Sequence, residues 1–198
     1  QHLSTARSVA MVRDAVAAGL PVTAEVTPHH FTLTHAECAG YDPVFKVNPP
    51  LRTAEDVAAV RQALADGTVA AIATDHAPHT TEAKELPFDE APPGMLGLET
   101  ALALAIDELD LSLPRLLAAM SWQPAAIAGI DASHGRPVAE GNPANLCVID
   151  PEVTWVVDGA AMASRSANTP YQGRRLRGRV RHTILHGEPV VIDGEAQR

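Results

Sequence analysis

The sequence predicts an α/β fold, with the C-terminal part of a (β/α)8 TIM barrel over residues 1–134 and a small β-rich domain over 135–198. Helical and β-branched segments alternate in the first part at the spacing of βαβ units. From Gly135 onward, short β-branched runs separated by Gly turns are typical of short strands. A complete barrel needs about 250 residues, and roughly 130 are available, so the first part would supply the last three units.

The first helix and the first strand follow from local signals. Ser4 or Thr5 can cap a helix that runs to about Ala18, and Gly19 can end it. Residues 22–27 are rich in β-branched side chains and predict a strand.

A second helix and a second strand complete the βαβ pattern. Thr53 caps a helix over 54–66 that Gly67 ends, and the apolar run 69–74 predicts a strand buried on both faces. A long connection rich in Pro and His precedes this helix, and a third strand end is expected at Gln1–His2. The remaining predicted helices cover 97–109, 112–121 and 123–129, and the predicted short strands are NLCVID, TWVV, VRHTILHG and EPVVIDG.

Composition excludes several classes of protein. The formal net charge of −9 argues against a nucleic-acid-binding surface, and no apolar stretch reaches the roughly 18 residues of a membrane span. Cys38 and Cys147 fit no metal-binding spacing and are typical of reduced core residues in a cytoplasmic protein. The chain opens on QHLSTARSV without an initiator Met, which indicates the middle of a longer protein.

Two polar residues follow predicted strands and are candidates for a metal site. His2 lies between a strand end and the first helix, and Asp75 ends the strand at 69–74. Both are therefore expected on the carboxyl side of a parallel sheet, where barrel active sites form. An imidazole and a carboxylate suit zinc, which accepts nitrogen and oxygen donors. The alternative is that His2 caps the helix and Asp75 accepts hydrogen bonds from backbone amides.

Long segments of the chain resemble the class I bacterial dihydroorotases of the amidohydrolase superfamily. The resemblance implies a metal-dependent barrel, of which this chain would be a C-terminal fragment. It also implies the reversible cyclisation of N-carbamoyl-L-aspartate to L-dihydroorotate in pyrimidine biosynthesis, with two zinc ions per active site in the full-length enzyme. The segments that carry it are HLSTARSV, VTAEVTPHHFTLT, YDPVFKVNPPLRTAEDVAAVRQALADGTVAAIATDHAPH, PFDEAPPGMLGLETAL, GRPVAEGNPANLCVID and ANTPYQGRRLRGRVRHTILHGEPV.

The resemblance also implies roles for individual residues. His2 matches a metal-binding histidine, and Asp75 matches an aspartate that binds the other metal and carries the proton in a metal-hydroxide mechanism. Asn48 and His79 match residues that contact the substrate, and His79 would contact its carboxylate.

Pro93 and Gly94 occupy the position where the family holds substrate through backbone amides, but this chain departs from the family there. Relatives usually carry Phe-Gly, whereas Pro93 has no N–H to donate. Only the carbonyl or the ring of residue 93 could contact a ligand.

Two other functions stay open at this point. One is a different cyclic amidohydrolase, such as an allantoinase or a hydantoinase, although Asn48 and its NPPLR context favour dihydroorotase. The other is an inactive dihydroorotase-like subunit that scaffolds aspartate transcarbamoylase. The family also implies a small-molecule substrate and a homo-oligomer.

Three further features each have two interpretations. For His29 and His30, either the two residues support or gate the site, or they form hydrogen bonds to loop backbone. The loop 80–93 is either a lid or a static surface loop. The arginines in RRLRGRVR form either the solvated face of a strand or a docking surface for a partner enzyme.

Overall fold

The computed structural model describes residues 1–197 as helices and two small sheets. No helix in this range has the length and apolar character that crossing a membrane requires. The helices are α1 (Ala6–Ala17), α2 (Pro28–Thr32), α3 (Ala54–Asp66), α4 (Thr81–Lys84), α5 (Ala101–Glu108), α6 (Leu113–Leu117) and α7 (Gln123–Ile127), with a π-helical turn at Ala118–Trp122. The strands are β1 (Glu25–Val26), β2 (Ala71–Ile72), β3 (Leu146–Val156), β4 (Arg175–Leu185), β5 (Glu188–Ile192) and β6 (Glu195–Ala196).

The predicted βαβ unit is confirmed, because β1 and β2 pair in parallel and α3 lies between them in the chain. Both strands are shorter than predicted, with two residues each in the ladder. The structure assigns no strand to Gln1–His2, and the strand end expected there stays a prediction. His2 has a left-handed backbone (φ 53°), which turns the chain out of the extended conformation, and only the Leu3 N–H bonds to Glu25 O of β1.

The helix caps confirm the local sequence signals. The Thr5 side chain accepts a hydrogen bond from Ser8 N at the start of α1, and Thr53 does the same with Asp56 N at α3. Gly67 ends α3 in a left-handed conformation.

The connection before α3 contains more regular structure than the sequence indicated. Thr27 caps the short helix α2, whose first residue is Pro28, a residue suited to the first helical turn. Two 3₁₀ turns follow, at His35–Gly40 and Pro43–Phe45.

The C-terminal part is a four-stranded antiparallel sheet in the order β3-β4-β5-β6. The two strands predicted from NLCVID and TWVV are in fact one strand, β3, with an irregularity between Asp150 and Thr154. The Asp150 carboxylate accepts the N–H groups of Glu152 and Val153, so the backbone amides that leave the ladder remain satisfied.

One hydrophobic core joins the α/β part to this sheet. Phe31, Met95 and Leu104 pack in the same cluster as Val157 and Leu176. The division at 134/135 therefore stays a prediction, since the core continues across it.

The arginine run is partly engaged in ion pairs. Arg174 and Arg61 both contact the largely buried Glu108 at the end of α5. Arg177 pairs with Asp107, and Arg181 pairs with Asp193. These contacts tie β4 to α5 and to the β5–β6 turn, and a docking role for the run stays a prediction.

Candidate active site

His2 and Asp75 meet at the carboxyl ends of β1 and β2, as the sequence predicted. The His2 Nε2 atom lies 3.6 Å from Asp75 Oδ1, and the two side chains are 25% and 31% exposed. Both residues have left-handed backbones, with φ of 53° and 46°. Such strain in non-glycine residues concentrates at functional sites, where surrounding structure holds it.

The alternative roles for these two residues find no support in the structure. Thr5, not His2, caps α1. Within residues 1–197, the Asp75 carboxylate accepts no backbone hydrogen bond, and its close polar contact is His2. The neighbouring His76 takes the backbone-bonding role, because its Nδ1 accepts from the N–H groups of Gly97 and Leu98.

Glu25 fixes the position of His2, and sequence reasoning missed it. Its Oε1 atom accepts the His2 backbone N–H at 2.5 Å and lies 2.9 Å from His2 Nδ1. The second approach is a close contact without hydrogen-bond alignment, since the buried Nδ1 has no hydrogen-bond partner in the described residues. The Glu25 carboxylate lies behind the imidazole, on the side opposite the Nε2 atom that faces Asp75. The available signal was an acidic residue inside a β-branched strand.

His29 and His30 lie in α2 and are 2% and 3% exposed. His30 anchors loop backbone, because its Nε2 lies 2.9 Å from Pro49 O and its Nδ1 lies 2.7 Å from Thr27 Oγ1. Burial, followed by the charges of His30 and His2, lowers the pKa of His29 to about 2. His29 is therefore neutral, and its buried Nε2 has no hydrogen-bond partner in the described residues.

The donor pair suits a metal ion but does not complete a site. His2 Nε2 and Asp75 Oδ1 are nitrogen and oxygen donors of the kind that zinc accepts, and they face each other. Among residues 1–197, no group of three or more His, Cys, Asp or Glu side chains could hold a metal. Further ligands would have to come from outside this range.

His79 lies against the segment that contains Pro93 and Gly94. Its Nε2 atom is 3.0 Å from Pro93 O. Gly94 N donates to Lys46 O at 2.7 Å, so neither residue offers a free backbone N–H in this arrangement. The role of Pro93 and Gly94 in substrate binding stays a prediction. This geometry argues against a hydrogen bond from their backbone amides to a substrate.

Asn168, in the connection between β3 and β4, joins the segment of His79 to the segment of Gly94. Sequence reasoning missed this residue as well. It is 7% exposed. Its Oδ1 accepts from His79 N at 3.1 Å, and its Nδ2 donates to Ala77 O at 3.0 Å and to Gly94 O at 3.3 Å. No local signal in the sequence indicates this contact, because about 90 residues separate the partners in the chain.

Asn48, in the segment before α3, is exposed. Its side chain makes no hydrogen bond within the described residues, while the next residue, Pro49, is held by His30. The Asn48 amide is therefore available to a ligand.

Lysines hold the loop 80–93 to the segment before Asn48. Lys84 Nζ donates to Pro43 O and Pro92 O, each at 2.9 Å, and Lys46 Nζ donates to Asp89 O at 3.0 Å. Burial lowers the pKa of Lys84 to about 8. The loop is tied down in this conformation, and its role as a lid stays a prediction.

The chain is similar to known proteins over nearly its whole length. The sequence model of the amidohydrolase family matches residues 1–190. A dihydroorotase of Streptomyces coelicolor is 52% identical, over 98% of this chain and 46% of that protein. One of Mycobacterium tuberculosis is 48% identical, over 98% of this chain and 46% of that protein.

Solved structures give the same family-level likeness. An L-hydantoinase from Arthrobacter aurescens superposes with a TM-score of 0.91 at 29% identity, covering 100% of this chain and 45% of that one. A D-hydantoinase from Thermus sp. gives 0.89 at 26% identity, covering 99% and 45%. The mixed α/β architecture is thus part of a hydantoinase-like fold, and the chain spans less than half the length of these relatives.

Proposed function

This chain belongs to the amidohydrolase family, and we propose that the full-length protein is a dihydroorotase that interconverts N-carbamoyl-L-aspartate and L-dihydroorotate. The observation that carries the proposal is the facing pair His2 and Asp75, in a chain 52% identical to a dihydroorotase. The remaining barrel strands and ligands would come from residues outside this range.

His2 and Asp75 would be this chain's contribution to a zinc centre. They supply one imidazole nitrogen and one carboxylate, and Glu25 supports the imidazole from behind. When bound, zinc ions supply Lewis acidity and lower the pKa of water. Two zinc ions, as the family resemblance implies, belong to the same proposal.

Asp75 is the residue suited to move the proton. In the hydrolytic direction, its carboxylate takes a proton from the attacking water and returns it to the ring nitrogen that leaves. In the cyclisation direction, it takes that proton from the urea nitrogen and gives it to the oxygen expelled from the substrate carboxylate, which leaves as water. Its freedom from backbone hydrogen bonds within residues 1–197 supports this role, since the carboxylate has acceptor capacity left.

Asn48 and His79 would bind the substrate carboxylate. Both are polar and can donate hydrogen bonds to an anion. The substrate carboxylate also distinguishes the dihydroorotase reaction from hydrolysis of hydantoins or allantoin. Hydantoins and allantoin have no such group, so a hydantoinase, the second candidate favoured by the structural likeness, would not need these donors.

Assays of the full-length protein test the proposal. We expect turnover of dihydroorotate and carbamoyl-aspartate to exceed turnover of hydantoin and allantoin. Asp75→Asn should lower kcat about a hundredfold or more while substrate still binds. Preferential turnover of hydantoin would favour the second candidate, and more than about a tenth of wild-type activity in Asp75→Asn would contradict the assigned role.

An assembly with aspartate transcarbamoylase and a homo-oligomeric state belong to the proposal as well. Size-exclusion chromatography of the full-length protein, alone and mixed with that enzyme, tests both. A catalytically inactive subunit that still co-elutes would support the scaffold interpretation instead.

A further inference from the structure

We propose that Asn168 is a positioning residue for carboxylate recognition, supplied to the barrel rim by the connection between β3 and β4. Its amide holds the backbone of His79 and the backbone of Gly94 together. The inference rests on the proposed function, because it assumes that His79 binds the substrate carboxylate. It assigns a role in that site to the C-terminal part of the chain.

The geometry shows a link between three backbone positions. The Asn168 carbonyl oxygen accepts from His79 N, and its NH₂ group donates to Ala77 O and Gly94 O, at 3.0–3.3 Å. A primary amide is suited to this because it carries an acceptor and two donors on one planar group. The residue is 7% exposed, so loss of the amide would leave largely buried backbone groups without their partner.

The hydrogen bonds of the Asn168 amide determine where the His79 ring can lie. Its Nε2 is 3.0 Å from Pro93 O, and a Cβ atom on Gly94 would lie 2.7 Å from that same nitrogen. The ring is therefore confined against the 93–94 segment, and Asn168 fixes the spacing between the two segments. Displacement of a binding group by about 1 Å can cost a large factor in rate or affinity.

Three substitutions separate this role from a general structural one. Asn168→Asp keeps the acceptor for His79 N but loses both donors, whereas Asn168→Ala loses all three bonds. Asn145→Ala provides the matched control. Asn145 also bridges two backbone groups, donating to Ser133 O and accepting from His186 N, but it lies in the C-terminal part away from the rim.

The experiment measures steady-state kinetics of the full-length enzyme with dihydroorotate. Each hydrogen bond lost is worth roughly a two- to tenfold change, so we expect KM to rise about tenfold or more in Asn168→Ala. We expect kcat to change less than about threefold and bound zinc to stay unchanged. Asn145→Ala should leave KM at the wild-type value, even if it lowers the melting temperature by a similar amount.

A double-mutant cycle with His79→Ala gives a readout that a purely structural role would not move. If Asn168 acts through His79, Asn168→Ala should have almost no further effect on KM in the His79→Ala background. Additive effects on KM, or an unchanged KM in a folded Asn168→Ala variant, would overturn the inference. If Asn168→Ala does not fold, Asn168→Asp enters the same cycle under the same criteria.

Hydrogen exchange separates this inference from the proposed function. The His79 N–H, protected by Asn168 Oδ1, should exchange faster in Asn168→Ala and not in Asn145→Ala. A wild-type enzyme without dihydroorotase activity would refute the proposed function while leaving this local result intact. If the wild type is active but the His79 N–H exchanges at the same rate in Asn168→Ala as in the wild type, the positioning role alone is refuted.

Discussion

Replacing Gly94 by alanine would place a methyl group where the structure has no room for one. A Cβ atom there would lie 2.6 Å from Ala77 Cβ and 2.7 Å from His79 Nε2. The backbone φ of Gly94 is +139°, a conformation that side-chain-bearing residues rarely adopt. The substitution would therefore strain the backbone and push the His79 ring away from its position.

The two effects add to a measurable loss of stability. A sparsely populated backbone conformation costs about 1–3 kcal/mol, and overpacking costs about 1–3 kcal/mol more. We expect Gly94→Ala to lose about 3 kcal/mol of unfolding free energy or more. If His79 binds the substrate carboxylate, KM should rise in the same variant.

Gly67→Ala is the matched control, because Gly67 has φ of +84° but no atom within 4 Å of the position that a methyl group would take. It should lose about 1–2 kcal/mol from the backbone alone and leave KM unchanged. Urea unfolding and steady-state kinetics of both full-length variants test this. Equal stability losses in the two variants, with KM unchanged in both, would refute the packing argument at Gly94.

Three other perturbations have defined outcomes. Glu25→Gln should weaken zinc binding about 10- to 100-fold because it removes the charge behind His2; unchanged zinc affinity by competition with a chelator would contradict this. Glu108→Ala should cost about 1–2 kcal/mol in urea unfolding, since two partly exposed arginines lose their shared partner; a loss below about 0.5 kcal/mol would show that solvent replaces the pairs. Burial holds the pKa of His29 near 2 against an ordinary 6.5, so the unfolded state binds up to one more proton between these values. Stability therefore falls as the pH drops, by about 1 kcal/mol between pH 6.5 and pH 5.5. His29→Phe should flatten that dependence, and an equally steep fall in the variant would assign it to other groups.

Local sequence signals predicted the elements that depend on short-range contacts. The caps at Thr5 and Thr53 and the left-handed stop at Gly67 are found where they were predicted. A cap involves residues only three positions apart, so its chemistry can be read from the sequence. The strands were less well predicted because ladder length depends on a partner far along the chain. Only two residues of the run 22–27 pair in β1.

The sequence by itself determined the α/β class of the first part, the β-rich character of the last, and the candidate pair His2 and Asp75. It could do so because hydrophobic period and capping are local properties, and because both residues of the pair stand in segments that resemble a known family. Only the tertiary structure decided that Glu25 supports His2 and that Asn168 holds His79, since these contacts join residues 23 and 89 positions apart. Nothing in the neighbourhood of either residue encodes its partner, which is fixed by how the packed elements bring distant segments together.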